Sequence, residues 1–127
     1  MHALFVDDEV EFLQLMEKRL SRRGMTIVTA PDGQSALDIV TEAMKQPETM
    51  FQVVVVMDVR MPGMDGLETL RHMKKIAPKL PVLLLTGHAS LGVAVQGMDL
   101  GAYDYMLKPV AINELIIKME EAVRAAA

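Results

Sequence analysis

The run Val53-Val54-Val55-Val56-Met57-Asp58 constrains the fold more than any other stretch of the chain. It is apolar and mostly β-branched, too short for a helix, and as a strand it would be buried on both faces. A strand covered on both faces belongs at the centre of a parallel sheet flanked by helices. The run stops at a carboxylate, Asp58, and passes into Arg60-Met61-Pro62-Gly63-Met64-Asp65-Gly66, a loop rich in turn residues. Ligands of open α/β sheets bind beyond the carboxyl ends of the strands, so Asp58 falls where chemistry is expected.

The remainder of the chain supplies the partners such a strand needs. Ala3-Leu4-Phe5-Val6 is a short apolar run ending in Asp7-Asp8-Glu9, so the first strand also ends in acid. A helix is predicted from Glu11 to Arg23, with Phe12, Leu13, Met16 and Leu20 on one face, basic last turns that suit the helix dipole, and Gly24 as its stop. Met25 to Ala30 reads as the second strand, and Pro31-Asp32-Gly33 as a turn after it. A second helix carries Ala36, Leu37, Val40 and Met44 on one face and should end before Pro47. Pro47 to Gln52 then links into the valine strand.

Asp65-Gly66-Leu67-Glu68 has the Asp-x-x-Glu form of a helix start, and that third helix should run to about Ile76. Pro81 to Thr86 is the fourth strand. The fourth helix, Leu91 to Leu100, is weakened by glycines at 92 and 97. Tyr103 to Leu107 is the fifth strand, followed by Lys108-Pro109. The last helix buries Ile112, Leu115, Ile116, Met119 and Val123. Five strand-then-helix repeats imply an α/β domain with right-handed crossovers, a doubly wound parallel sheet of flavodoxin-like order 2-1-3-4-5 with five helices.

Composition narrows the function classes. At 127 residues the chain is expected to be one domain. A net charge of −4 argues against a general nucleic-acid or membrane surface. There is no cysteine, which excludes a disulfide framework and a thiolate site and fits a cytoplasmic protein. No run approaches the ~18 apolar residues of a membrane span. The twelve methionines read as fillers of irregular core gaps. His2, His72 and His88 lack ligand spacing, and surface roles suit them better than metal binding.

Four strands end in reactive or charged residues: Asp7-Asp8, Asp58, Thr86 and Lys108. With strands 1 and 3 adjacent, Asp7, Asp8 and Asp58 would share one crevice, where their mutual repulsion is relieved by a proton or a cation. A hard divalent ion, Mg²⁺ first, is the natural occupant of an all-oxygen site. Lys108 and Thr86 add a fixed positive charge and a hydroxyl donor beside Asp58. Phosphoryl transfer needs positioning and charge neutralisation and little else, and a carboxylate can serve as its nucleophile. On that chemistry Asp58 is the phosphoacceptor, Lys108 carries charge and Thr86 bonds a phosphoryl oxygen.

At this point the chain resembles a receiver domain of the two-component response regulators along its whole length. The resemblance rests on Phe5-Val6-Asp7-Asp8-Glu9, Ala30-Pro31-Asp32-Gly33, Met57-Asp58 with Met61-Pro62-Gly63-Met64-Asp65-Gly66, Leu85-Thr86-Gly87, and Gly101 through Pro109. Thr86-Gly87-His88-Ala89-Ser90 with Gly101-Ala102-Tyr103-Asp104-Tyr105 looks closest to receivers of the nitrogen-regulator type. The resemblance implies that Asp58 takes phosphate from a phosphohistidine of a sensor histidine kinase or phosphotransfer protein. It implies that Asp8, Asp58 and the Arg60 backbone carbonyl bind Mg²⁺ directly, with Asp7 acting through water, and that Mn²⁺ or Ca²⁺ could substitute. It also implies a cis Lys108–Pro109 bond.

The same resemblance implies a switch. The Thr86 hydroxyl moves toward the phosphate, and Tyr105 rotates into the space it leaves. That repacks the face made by helix 4, strand 5 and helix 5, which controls an output domain or target protein and can serve as a homodimer contact. Such a domain is a phosphorylation switch with slow autodephosphorylation and not a turnover enzyme. No direct nucleic-acid or membrane contact is expected of it. Ending after helix 5, the chain reads as a stand-alone receiver or an N-terminal fragment of a longer regulator.

Arg60 and His88, two residues beyond Asp58 and Thr86, stand where relatives vary and where phosphate lifetime is tuned. Arg60 could pair with the phosphate or be a solvated loop residue. Ala111 replaces an acidic cap at the last helix. Three other functions compete. A flavin protein of the same sheet order would place its phosphate loop at Asp7-Asp8-Glu9, which would repel it. An aspartyl-nucleophile phosphatase usually has an acid where Arg60 stands. A pseudo-receiver would lack part of the acid pocket, and none of it is missing here.

Overall fold

A computed structural model of the chain describes residues 1–46, 48, 52–61, 63–87 and 91–126. Strands and helices alternate as β1 (His2–Val6), α1 (Val10–Ser21), β2 (Thr26–Ala30), α2 (Gly33–Ala43), β3 (Val53–Asp58), α3 (Gly66–Ile76), β4 (Val82–Thr86), α4 (Leu91–Asp99), β5 (Asp104–Leu107) and α5 (Ile112–Ala126). The strands form one parallel sheet in the order β2-β1-β3-β4-β5. The expected doubly wound architecture is the one observed.

The valine run explains why β3 sits at the centre. Val55 and Met57 point into a core shared with Leu37 and Val40 of α2 and Leu70 and Met73 of α3. Val54 and Val56 point the other way, into a second core with Leu13, Met16 and Leu20 of α1 and Leu115 and Met119 of α5. Period-2 alternation along a strand apolar at each of these positions feeds both layers at once. Helices α1 and α5 therefore cover one face of the sheet, and α2 and α3 the other.

Element boundaries depart from expectation at helix ends. Pro31 and Asp32 bend the chain after β2 as expected, and Gly33 already opens α2: the Asp32 carboxylate accepts the Ser35 N–H at 2.7 Å and caps the helix. Glu9 holds the cap position of α1, and no side chain bonds the helix there. Helix α1 ends at Ser21, with Gly24 N–H to Ser21 O and Met25 N–H to Leu20 O closing its last turn. Most of the linker read from Pro47 to Gln52 lies outside the described residues.

Gly97 lowers the helix propensity of α4, and packing gives it a purpose. A Cβ there would come within 2.4 Å of Leu84 Cδ1, so the glycine lets α4 approach β4 closely.

Candidate functional site

The register of the sheet assembles the site. β1 and β3 align Val6 with Met57, so Asp7 and Asp58 are next in line on adjacent strands. Both follow the parity of Phe5 and Val56, whose side chains face α1 and α5. β5 pairs Leu107 with Thr86, and the Lys108 N–H donates to Thr86 O at 2.9 Å. Lys108 shares the parity of Met106, which packs on the same α1/α5 layer. Three side chains from three strands thus converge on one side of the carboxyl edge. The Lys108–Pro109 peptide that follows is cis.

The Lys108 ammonium sits among acids. Its Nζ lies 2.5 Å from Asp7 Oδ2, 3.3 Å from Glu9 Oε1 and 3.6 Å from Asp58 Oδ2. It also stands 4.4 Å from the centroid of the Phe12 ring. Asp7 is 1% exposed and Asp58 7%, while Asp8 is at the surface. The second oxygens of the buried acids are engaged too: Asp7 Oδ1 accepts the Glu9 N–H at 2.9 Å, and Asp58 Oδ1 accepts the Arg60 N–H at 3.2 Å.

Charge in this crevice is unbalanced. Burial pushes the Asp58 carboxyl above the usual aspartate range, and the neighbouring Asp7 and Asp8 charges push in the same direction. The Arg60 N–H and the Lys108 ammonium pull it down without prevailing. For Lys108, burial works to lower the pKa, yet the Asp7 hydrogen bond and the Asp7, Asp58 and Glu9 charges outweigh it and leave the value raised. The lysine therefore stays protonated at neutral pH, and negative charge still exceeds positive.

Asp7, Asp8 and Asp58 each offer a carboxylate oxygen, and these atoms all lie within 4.8 Å of one another. The donor set is all oxygen, with excess negative charge and a half-open outer side at Asp8. Such a set suits a hard divalent cation.

The β3–α3 loop is held by close backbone contact. Gly66 N–H donates to Val59 O at 2.8 Å, Val59 N–H to Leu85 O at 3.2 Å, and the Asp65 carboxylate accepts the Glu68 N–H at 2.8 Å. A Cβ on Gly66 would stand 2.4 Å from Asp58 O and 2.6 Å from Val59 Cα, so only glycine lets α3 start this close to the end of β3.

Thr86 is buried at the end of β4, on the parity opposite to Asp58 and Lys108. Tyr105 pairs with Leu84, which makes it a diagonal cross-strand neighbour of Thr86 on that same face. Tyr105 is 40% exposed. The acid–lysine cluster and the Thr86/Tyr105 pair thus lie on opposite parities of one sheet edge. Arg60 brings its backbone N–H to Asp58, while its exposed side chain lines an open cleft with Met61, Leu67 and Val93. His88 lies outside the described residues.

Two neighbours of Lys108 escaped the sequence reading. Glu9 was the tail of an acid run, and Phe12 was one apolar position on a helical face. The acid run was a usable signal for Glu9; nothing local marks Phe12.

A flavodoxin-like sheet with acids and a lysine converging at its carboxyl edge defines a doubly wound α/β domain with a charged edge site, and comparison with known proteins names the family. A family profile described as response regulator receiver domain matches residues 3–120. The chain belongs to the receiver domains of response regulators of two-component systems. It is 36% identical over 121 residues to the DNA-binding transcriptional regulator NtrC of Klebsiella pneumoniae, covering 95% of this chain and 24% of that one. It is 38% identical over 124 residues to the response regulator MprA of Mycolicibacterium vanbaalenii, covering 98% and 51%. The chain thus spans about a quarter to a half of the length of these relatives.

Solved structures agree. A receiver domain protein of Clostridium thermocellum superposes with a TM-score of 0.87 at 34% identity, over 98% of this chain and 94% of that one. The receiver domain of NtrX from Brucella abortus gives 0.83 at 35%, over 96% and 98%. The beryllofluoride-activated NtrC4 receiver domain dimer gives 0.86 at 28%, over 99% and 98%.

Proposed function

We propose that this domain is a phosphorylation switch in which Asp58 accepts a phosphoryl group from a phosphohistidine on a sensor histidine kinase or phosphotransfer protein. The observation that carries the reading is the Lys108 ammonium lying beside both Asp7 and Asp58 at the carboxyl edge of the sheet. A carboxylate oxygen of Asp58 forms the new O–P bond as the P–N bond of the donor breaks. The electron pair leaves with the imidazole nitrogen. Lys108 meets the charge on the phosphoryl oxygens, and the Thr86 hydroxyl bonds one of them. Loss of the group by water attack is slow, so the domain stores a state and does not turn over substrate.

Asp8, Asp58 and the Arg60 carbonyl, with Asp7 beside them, would hold Mg²⁺, which would supply positive charge against the acids and the phosphoryl oxygens; Mn²⁺ or Ca²⁺ would suit the same donors. The excess negative charge of the crevice supports this reading. Arg60, and His88 by its position in the chain, tune the lifetime of the phosphate.

Tyr105 answers the movement of Thr86 by turning inward, and the change reaches the α4–β5–α5 face. That face carries Val95, Met98, Tyr105, Leu107 and Ile117 as exposed apolar side chains. An output domain, a target protein or a second copy of the chain docks there, the last in keeping with a relative solved as an activated dimer. A coupling of ~1–3 kcal/mol is enough to change partner affinity about 5–150-fold. We place the domain in the cytoplasm, contacting neither nucleic acid nor membrane directly. Among the described residues no helix is long and apolar enough to cross a membrane.

The test uses acetyl phosphate with Mg²⁺ and intact mass. One phosphoryl group is expected on the wild type and none on Asp58→Asn; equal labelling of both would overturn the assignment. The chain has no tryptophan, so Tyr105→Trp reports the switch by fluorescence. Its emission should move to shorter wavelength on phosphorylation, and an unmoved spectrum on a fully labelled sample defeats the Tyr105 role.

A further inference from the structure

We propose that Phe12 is a positioning residue for the Lys108 ammonium, holding it over the phosphoacceptor while its carboxylate partners change. The inference rests on the role given to Lys108 in the reading above. Among the described residues, Lys108 Nζ lies against Asp7, Glu9, Asp58 and the face of the Phe12 ring. Three of them are altered by the reaction or loosely held. Asp58 loses its carboxylate charge when it is phosphorylated. Asp7 belongs to the acid cluster suited to a cation and is then less available to the lysine. Glu9 has a side chain 66% exposed, free to exchange the lysine for water.

The Phe12 ring differs from all three. It is uncharged, so it neither competes for the cation site nor repels an incoming phosphoryl group. A quadrupole attracts an ammonium equally before and after transfer. The ring is also fixed: Phe12 lies in the first turns of α1 and packs against the core layer formed by Leu13, Met16, Leu115 and Met119. Just ahead of that turn, Asp7 Oδ1 accepts the Glu9 N–H, so the residue that contacts Lys108 also anchors the approach to the helix carrying Phe12. The lysine side chain is 14% exposed, which limits the water that would weaken the cation–π contact. A flexible four-carbon stem is thereby given one resting place that survives the chemistry.

Phosphorylation by saturating acetyl phosphate and Mg²⁺ tests this in wild type, Phe12→Leu, Phe12→Tyr, and Phe12→Leu combined with Lys108→Ala. Leucine keeps the packing and removes the π face; tyrosine keeps both. Phe12→Leu should slow the maximal rate about two- to thirtyfold, the range of one partly buried cation–π contact. Phe12→Tyr should restore it. In the Lys108→Ala background, Phe12→Leu should have no further effect. Hε protons of Lys108 should lose their ring-current shift in Phe12→Leu, a change that altered packing elsewhere does not mimic. A Phe12→Leu rate equal to wild type overturns the proposal, as does an equal slowing with and without Lys108. If wild type itself takes no phosphoryl group at Asp58, the proposed function falls and this inference falls with it. Normal labelling of wild type with an indifferent Phe12→Leu removes the role of Phe12 alone.

Discussion

Lys108 Nζ and Asp58 Oδ2 stand 3.6 Å apart, one from the end of β5 and the other from the end of β3, two strands away in the sheet. Asp7, from β1 on the far side of Asp58, holds the same ammonium more tightly. The lysine therefore bridges outer and inner strands across Asp58, and its charge falls short of neutralising the acids it touches. That imbalance, and the close backbone contact behind Asp58, can each be measured.

The Asp58 carboxyl is raised above 3.8 by burial and by its acidic neighbours, so the folded state prefers it protonated. Its ionisation costs nothing below 3.8, and stability falls as pH rises through the raised folded value. Asp58→Asn never ionises and escapes that loss. In chelator at neutral pH the variant should melt above wild type, and the gap should close as the pH is lowered toward 3.8. Thermal scans across pH check this; a variant no more stable than wild type at neutral pH would remove the electrostatic account of the site.

Lys108→Met leaves Asp7, 1% exposed, without its ammonium partner. An uncompensated buried charge costs about 3–5 kcal/mol, and the open side toward Asp8 reduces this to roughly 1–3. Urea denaturation without divalent ions should show that loss. Millimolar Mg²⁺ should return part of it, because a ligand of the folded state stabilises by mass action, about 2.7 kcal/mol at a hundredfold excess over Kd. An unchanged midpoint in the variant, or a midpoint blind to Mg²⁺, contradicts the charge balance described.

Gly66→Ala places a methyl group 2.4 Å from the Asp58 carbonyl oxygen and against the Val59 backbone, neither of which can rotate aside. Overpacking of this kind costs about 1–3 kcal/mol. The displaced loop also carries the Arg60 N–H that bonds Asp58, so phosphorylation should slow as stability drops. Urea midpoints and labelling rates measured together test it. Wild-type values for both would show that the loop tolerates the shift and is no fixed part of the site.

Much of this was legible in residues alone. The valine run announced a central strand, and acids after strands 1 and 3 with Lys108 after strand 5 announced a shared crevice. Helix ends were less legible: Asp32 carries both turn and cap character, and only the Ser35 N–H that it accepts decides between them. Gly97 looked like a defect because propensity ignores the side chain of Leu84 opposite it. Phe12 looked like one more apolar helical position, since its distinguishing neighbour comes from the other end of the chain.

The alternation of strand and helix and the chemistry at each strand end follow from the order of residues, because periodicity and turn residues act over a few positions. Which groups share a partner, which carboxylate is desolvated and which ring faces the ammonium come from the folded chain. Those properties depend on sheet register and burial, through contacts between residues such as Phe12 and Lys108 that no local pattern connects.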